Sequence, residues 1–160
     1  MVNEATTTPI PALPPEREGR LERTGAMRME GWEARLDRLI EGVRREPYAI
    51  GTHDCFRLAC SVTETLTGID RWPEFAGYRT RREALSRIHA HGRTFEAAGD
   101  WFFGRERVPA AMARRGDIVL LAPDGTKHLG VCLGERSALI TANGISFVPT
   151  ASATGCWRIG

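Results

Sequence analysis

The chain has 160 residues, 42% of them hydrophobic, and sets 22 basic side chains against 20 acidic ones for a formal charge of +2. That length supports one domain with a substantial core, because a chain of roughly 150 residues buries about 68–70% of the surface it exposes when unfolded. So small a charge excess makes no electrostatic case for a nucleic-acid partner, and no apolar run approaches the ~18 residues of a membrane span.

The first residues lack the apolar core of a signal peptide, so the expected location is the cytoplasm of the producing cell. Residues 1–30 carry Thr6-Thr7-Thr8, then Pro9, Pro11, Pro14 and Pro15, then mixed charges. This composition has too little apolar surface to offset the entropy of ordering. The reading is a flexible arm over 1–30 and one domain over 31–160.

Trp32, Leu36, Leu39, Ile40 and Val43 fall on one helical stripe, with Arg35, Asp37, Arg38 and Glu41 outside it. Pro47 ends that helix. A short loop leads to Asp54, a good N-cap, and to a second helix that opens at Cys55, buries Phe56, Leu58, Ala59, Val62 and Leu66, and stops at Gly68. Cys55 thus sits at the positive end of a helix dipole, where thiolate, the form that attacks carbonyls, is favoured. Residues 69–78 alternate aromatics with helix breakers and read as a packed loop or a substrate rim. Thr80 and Glu83 form a capping-box pattern for a helix through Ile88 to Gly92, and a shorter helix spans Thr94 to Phe103.

After Pro109 the period turns extended. Asp117–Leu121, His128–Leu133, Leu139–Ala142, Ile145–Val148 and Cys156–Ile159 read as strands, with turn chemistry at Pro123-Asp124-Gly125 and a hairpin signal at Asn143-Gly144. Helices followed by an antiparallel meander make an α+β fold.

A cysteine nucleophile needs a base within hydrogen-bond reach and a third polar group to orient it. His89 and His91 lie at the end of a helix, where they face its last carbonyls. His53 is close to Cys55 along the loop, a tight geometry for a base but one suited to polarising substrate. His128, opening a strand straight after a turn, is the expected base. Zinc is disfavoured: on a strand, His128 and Cys132 stand about 13 Å apart, too far for one tetrahedral ion. The four cysteines, Cys55, Cys60, Cys132 and Cys156, include no C-x-x-C pair, and Cys60 and Cys132 read as small core residues.

These residues resemble the NlpC-type cell-wall endopeptidases, papain-like cysteine peptidases with a helical layer on a small antiparallel sheet. The likeness lies in Pro47-Tyr48-x-x-Gly51, in Asp54-Cys55 opening a helix, in Arg115-Gly116-Asp117-Ile118-Val119, and in the run from His128 to Gly134. It is nearest to the short tail-associated peptidases of bacteriophages and gene transfer agents, on the Trp-bearing first helix, the His-Asp-Cys turn and the closing Trp157-Arg158-Ile159. The resemblance implies Cys55 as nucleophile and His128 as base, with Tyr48 and Asp54 holding a peptidoglycan stem peptide, and neither metal nor cofactor. It puts the third catalytic residue near Ile140 and Thr141, which leaves Thr141, or Asn143 if the register slips. Other phage tail proteins are the implied partners, and the virion tail the implied location after the cytoplasm of the producing cell. The run Asp54-Cys55-Phe56-Arg57 departs from the family's Asp-Cys-Ser-Gly. A catalytically silent virion or wall-binding component on the same fold is the alternative, and an acyltransferase or amidase a third.

Overall fold

The computed structural model describes residues 26–160. Residues 1–25, most of the arm expected over 1–30, lie outside the described residues. The rest of that stretch belongs to the folded unit: the Met29 N–H donates to the Leu66 carbonyl, and Arg28 bonds the Ile159 and Arg115 carbonyls and the Asp117 carboxylate.

The helices are α1 (Trp32–Val43), α2 (Cys55–Thr67), α3 (Trp72–Phe75), α4 (Arg81–His91) and α5 (Phe95–Phe103). The strands follow as β1 (Ile118–Leu121), β2 (His128–Cys132), β3 (Arg136–Thr141), β4 (Gly144–Pro149) and β5 (Gly155–Trp157). They form one antiparallel sheet in the order β4-β3-β2-β1-β5. The α+β layout expected from the sequence is present, with helices and sheet in the expected succession.

Helix α2 is central. It packs against both α1 and β2, and it buries Phe56, Leu58, Ala59, Cys60, Val62, Thr63 and Leu66, a wider apolar surface than one stripe because it is covered on several sides. Its N-cap is Asp54 and its C-terminal stop is Gly68 in the left-handed region, as the residue types dictate. The sheet has two distinct faces. Ile118, Leu120, Leu129, Val131, Ala138, Ile140 and Trp157 join the helices in the main core. On the other face Val119, Leu121, Cys132, Leu139 and Cys156 form a separate small cluster. All four cysteines are free thiols; Cys60 and Cys132 are buried as expected of small core residues, and Cys156 is buried too.

Some boundaries differ from the sequence reading. The segment 69–78 contains the one-turn helix α3, opened by an Asp70 side chain that accepts from the Trp72 N–H and packed through Phe75, which stacks on Phe56 at 4.7 Å. Glu83 reaches back to the Arg79 N–H, one residue before the expected partner Thr80, while Thr80 accepts from the Glu83 N–H. The hairpin turn centres on Ala142 and Asn143, because Thr141 pairs with Gly144. Gly144 then takes φ 100°, and an added Cβ there would meet the Arg44 carbonyl oxygen at 2.4 Å, so only glycine lets the end of α1 close on β4. Strand β5 stops at Trp157 rather than Ile159, whose N–H turns to the Asp117 carboxylate.

Candidate functional site

Residues 44–54 form a wedge between α1 and the sheet. The Ile145 N–H donates to the Arg44 carbonyl at 2.9 Å and the Tyr48 N–H to the Thr141 carbonyl at 3.0 Å, which ties the wedge to the end of the β3–β4 hairpin. Ala49 and His53 exchange both backbone hydrogen bonds at 2.8 Å and pinch the loop into a tight turn. Gly51 sits at its tip with φ 79°, and a Cβ there would lie 2.2 Å from the Tyr78 carbonyl oxygen.

Asp54 locks this loop to α2. One carboxylate oxygen accepts from the Arg57 N–H at 2.9 Å; the other accepts from the Gly51 N–H at 2.8 Å and from the Tyr78 hydroxyl at 2.6 Å. With 2% exposure and both oxygens engaged, Asp54 has the surroundings of a structural clamp. The resemblance implies a substrate-holding role for Asp54, and both of its oxygens already accept hydrogen bonds from the chain. Burial, then the hydrogen bond to Asp54, pushes the Tyr78 phenol well above its ordinary range.

The loop delivers Cys55 to the first residue of α2, half-buried at the edge of the main core. Strands β2 and β3 pair only at Val131–Ala138 and Cys132–Ser137, so the leading half of β2 is open on that side. From that edge the Leu129 backbone N–H acts on the Cys55 thiol. The acidified thiol expected from the helix position is not what results. Burial pushes the Cys55 thiol up to about 11; the Leu129 N–H opposes this, the Asp54 carboxylate reinforces it, and the N–H groups of Phe56 and of Cys55 itself oppose it. The dipole and its donors are in place, but desolvation of the charged form outweighs them.

His128 is next to Leu129 yet faces elsewhere. In the β1–β2 ladder it lies opposite Leu121, and an added Cβ at Gly130, which has the same parity, would strike Leu121 and Val119. Alternation along the strand therefore puts the imidazole on the face away from α2, where its Nε2 is 3.3 Å from the Asp124 carboxylate. Thr141, the expected third residue, spends its hydroxyl on its own turn, donating to the Gly144 carbonyl and accepting from the Asn143 N–H. Among the described residues no hydrogen bond joins the Cys55 sulfur to an imidazole, or Thr141 to His128.

His53 has different company. Its Nδ1 is 3.4 Å from a Glu46 carboxylate oxygen, and its Nε2 is buried without a partner. Tyr48 is 44% exposed, and burial, then the charges of Asp54 and Cys55, raises its phenol. Its exposure leaves ring surface free for a ligand. Leu129, Glu46, Asp124 and Tyr78 were not singled out from the sequence. Only the Asp124–His128 pair, four residues apart across a turn, carried a local signal.

A hollow of about 460 Å³ is lined by Met27, Arg28, Trp32, Arg114, Arg115 and Gly160, none of them part of this site. Its arginines are engaged with Asp117, Asp37 and backbone carbonyls, so it offers little free charge. Among the described residues no three His, Cys, Asp or Glu side chains converge to hold a metal ion, and no helix is long and apolar enough to cross a membrane.

Residues 27–159 match the family described as Domain of unknown function (DUF6950), and no curated protein matches the chain. The match spans most of the 160 residues, and the chain belongs to that family.

Proposed function

We propose that this member of the DUF6950 family is a papain-like cysteine hydrolase of NlpC type that cuts peptidoglycan stem peptides as part of a phage tail or gene-transfer-agent particle. The observation that carries the reading is the seat of Cys55: first residue of a buried central helix, with the backbone N–H of Leu129 acting on its thiol from the histidine-bearing strand. In the reaction an imidazole takes the thiol proton, the sulfur attacks a peptide carbonyl carbon, and the carbonyl oxygen becomes an oxyanion facing backbone N–H groups. The imidazolium then protonates the leaving amine, and water cleaves the thioester. The family resemblance assigns that imidazole to His128 and the substrate contacts to Tyr48 and Asp54, and the loop position of His53 makes it a third candidate for polarising substrate. Tyr48 is the best placed of the three to meet a ligand, by its exposure.

Digestion of purified muropeptides by the full chain, read by mass spectrometry, tests this. The wild type is expected to release free amine ends that Cys55→Ala does not. Identical product profiles for the two proteins would sink the proposal.

A second reading, a catalytically silent wall-binding component of the particle, is favoured by the raised thiol and by the turn-bound Thr141 hydroxyl. It predicts that wild-type and Cys55→Ala proteins sediment equally with purified sacculi and that neither liberates peptide.

A further inference from the structure

The charge of the chain is unevenly spread. Between residues 79 and 93 five arginines, Arg79, Arg81, Arg82, Arg87 and Arg93, stand against one acid, Glu83, a surplus of four on a chain whose total is +2. Helix α4 carries the middle of this run and turns Ala84 and Ile88 inward, so the arginines fall to its outer side and its ends. Arg79, Arg81, Arg82 and Arg93 are exposed, and Arg87 is half-buried.

Elsewhere guanidinium groups meet carboxylates: Arg28 with Asp117, Arg44 with Glu41, Arg71 with Glu74, Arg107 with Asp100 and Arg115 with Asp37. Among the described residues none of the five guanidinium groups on this face has an ion pair or a side-chain hydrogen bond. Glu83, the one acid among them, turns its carboxylate to the Arg79 N–H instead. Like charges gathered in so short a stretch repel one another, and the counter-charge that would relieve them has to come from outside the described fold.

This face adjoins the candidate site. Tyr78, the residue before Arg79, donates its hydroxyl to Asp54, and its carbonyl oxygen is the atom that a Cβ at Gly51 would strike. Burial, then the charges of Asp54 and Cys55, raises the Tyr48 phenol, and Arg81 is the charge that opposes them. The cations are also of one kind, since Lys127 is the one lysine of the chain. Guanidinium is planar and always charged, and it takes carboxylates in bidentate pairs.

We propose that the arginine face of α4 is a docking surface for the carboxylate groups of the peptidoglycan mesh, holding the chain on the polymer beside the stem peptide that meets Cys55. The inference rests on the peptidoglycan reading above for the identity of the polymer. Stem peptides repeat their carboxylates throughout the mesh, so contacts that are weak singly add up as multivalent attachment. A phosphate polymer is disfavoured, because the rest of the chain is net acidic and leaves little long-range field to draw one in.

Sedimentation with purified sacculi tests this, with the full chain carrying Cys55→Ala so that the wall stays intact. The triple variant Arg79→Gln/Arg82→Gln/Arg93→Gln, altered only at exposed positions, is expected to bind on the order of tenfold more weakly at low salt, as the loss of three exposed ion contacts implies. The corresponding triple lysine variant should keep most of the binding, and raising the salt should bring wild type down to the glutamine variant. Sacculi whose carboxylates have been amidated with carbodiimide and methylamine should no longer retain the wild type. With Cys55 restored, acylation by p-nitrophenyl acetate should stay within about twofold of wild type in the glutamine variant. Glutamine and wild-type proteins that sediment alike, amidated sacculi that bind as well as native ones, or stronger retention on DNA-cellulose than on sacculi would each overturn the proposal, whatever the enzyme does to muropeptides. Sacculi held through the arginines but left uncut by the Cys55 protein would overturn the hydrolase reading and leave the docking surface standing.

Discussion

Asp54 offers the sharpest test of how the site is built, because one carboxylate holds three separate pieces of chain. It accepts from the Arg57 N–H, the Gly51 N–H and the Tyr78 hydroxyl at 2.6–2.9 Å, and it is 2% exposed. Hydrogen bonds to a charged acceptor contribute about 1.5–3 kcal/mol each, and donors left buried without a partner cost a similar amount. The three bonds share one acceptor and are not additive, so Asp54→Ala should destabilise by about 3–4 kcal/mol; Asp54→Asn, which keeps one acceptor oxygen, should lose about 2 kcal/mol. For a chain of this size roughly 3–4 °C of Tm goes with each kcal/mol, so the alanine variant should melt about 10 °C lower by circular dichroism. The second readout has the opposite sign. Removing the Asp54 charge removes one cause of the raised Cys55 thiol, so alkylation of the folded variant by iodoacetamide at pH 8 should be faster than in wild type. Each unit of fall in thiol pKa raises the thiolate fraction tenfold and lowers its nucleophilicity by about threefold, a net gain of about threefold. An Asp54→Ala protein within about 1 kcal/mol of wild type, or one whose Cys55 reacts more slowly, would refute the clamp.

Arg28→Ala should cost about 3 kcal/mol by urea unfolding, since it leaves a fully buried Asp117 with only the more distant Arg114 at 3.7 Å and frees two carbonyls; an unchanged midpoint would show that the segment before α1 is not part of the cooperative unit. Gly51→Ala should lose about 2–4 kcal/mol, read as a fall in Tm, because the methyl must enter the left-handed region and displace the Tyr78 carbonyl. In the wild type, alkylation of Cys55 should rise with pH toward a half-maximum near 11, whereas a free thiol reaches it at about 8.5. A half-maximum below that of a free thiol would mean that the backbone donors outweigh burial after all.

Helices α2, α4 and α5 were legible because each carries its own punctuation. Asp54, Thr80 and Thr94 cap with their side chains, Gly68 and Gly104 stop in the left-handed region, and the apolar spacing between them is helical. The one-turn helix α3 was not legible, since four residues carry no period and its start depends on a single Asp70 side chain. The thiol's state was not legible either. A cysteine after an N-cap reads as acidified from local sequence, yet the deciding contribution is burial, which depends on how β2 and the loop close around the sulfur. Glu46 and His53 meet because Ala49 and His53 pair across a turn, and nothing in the spacing of those residues announces that pairing.

The facing of His128 was in the sequence all along, in the parity of its strand. Leu129, Val131 and Leu133 carry the bulk that meets the helices, whereas Gly130 and Cys132 belong to the thinner second face. Because side chains alternate with a period of two, a strand whose odd-numbered positions face α2 sends residue 128 away from it, and moving the imidazole to the other side would take a one-residue slip that exposes Leu129 and Val131. The helical core therefore forbids the slip. What β2 offers the sulfur is backbone, the N–H of Leu129, left free where the ladder to β3 has not begun. A strand that contributes a main-chain donor and turns its histidine outward brings no imidazole of its own to Cys55.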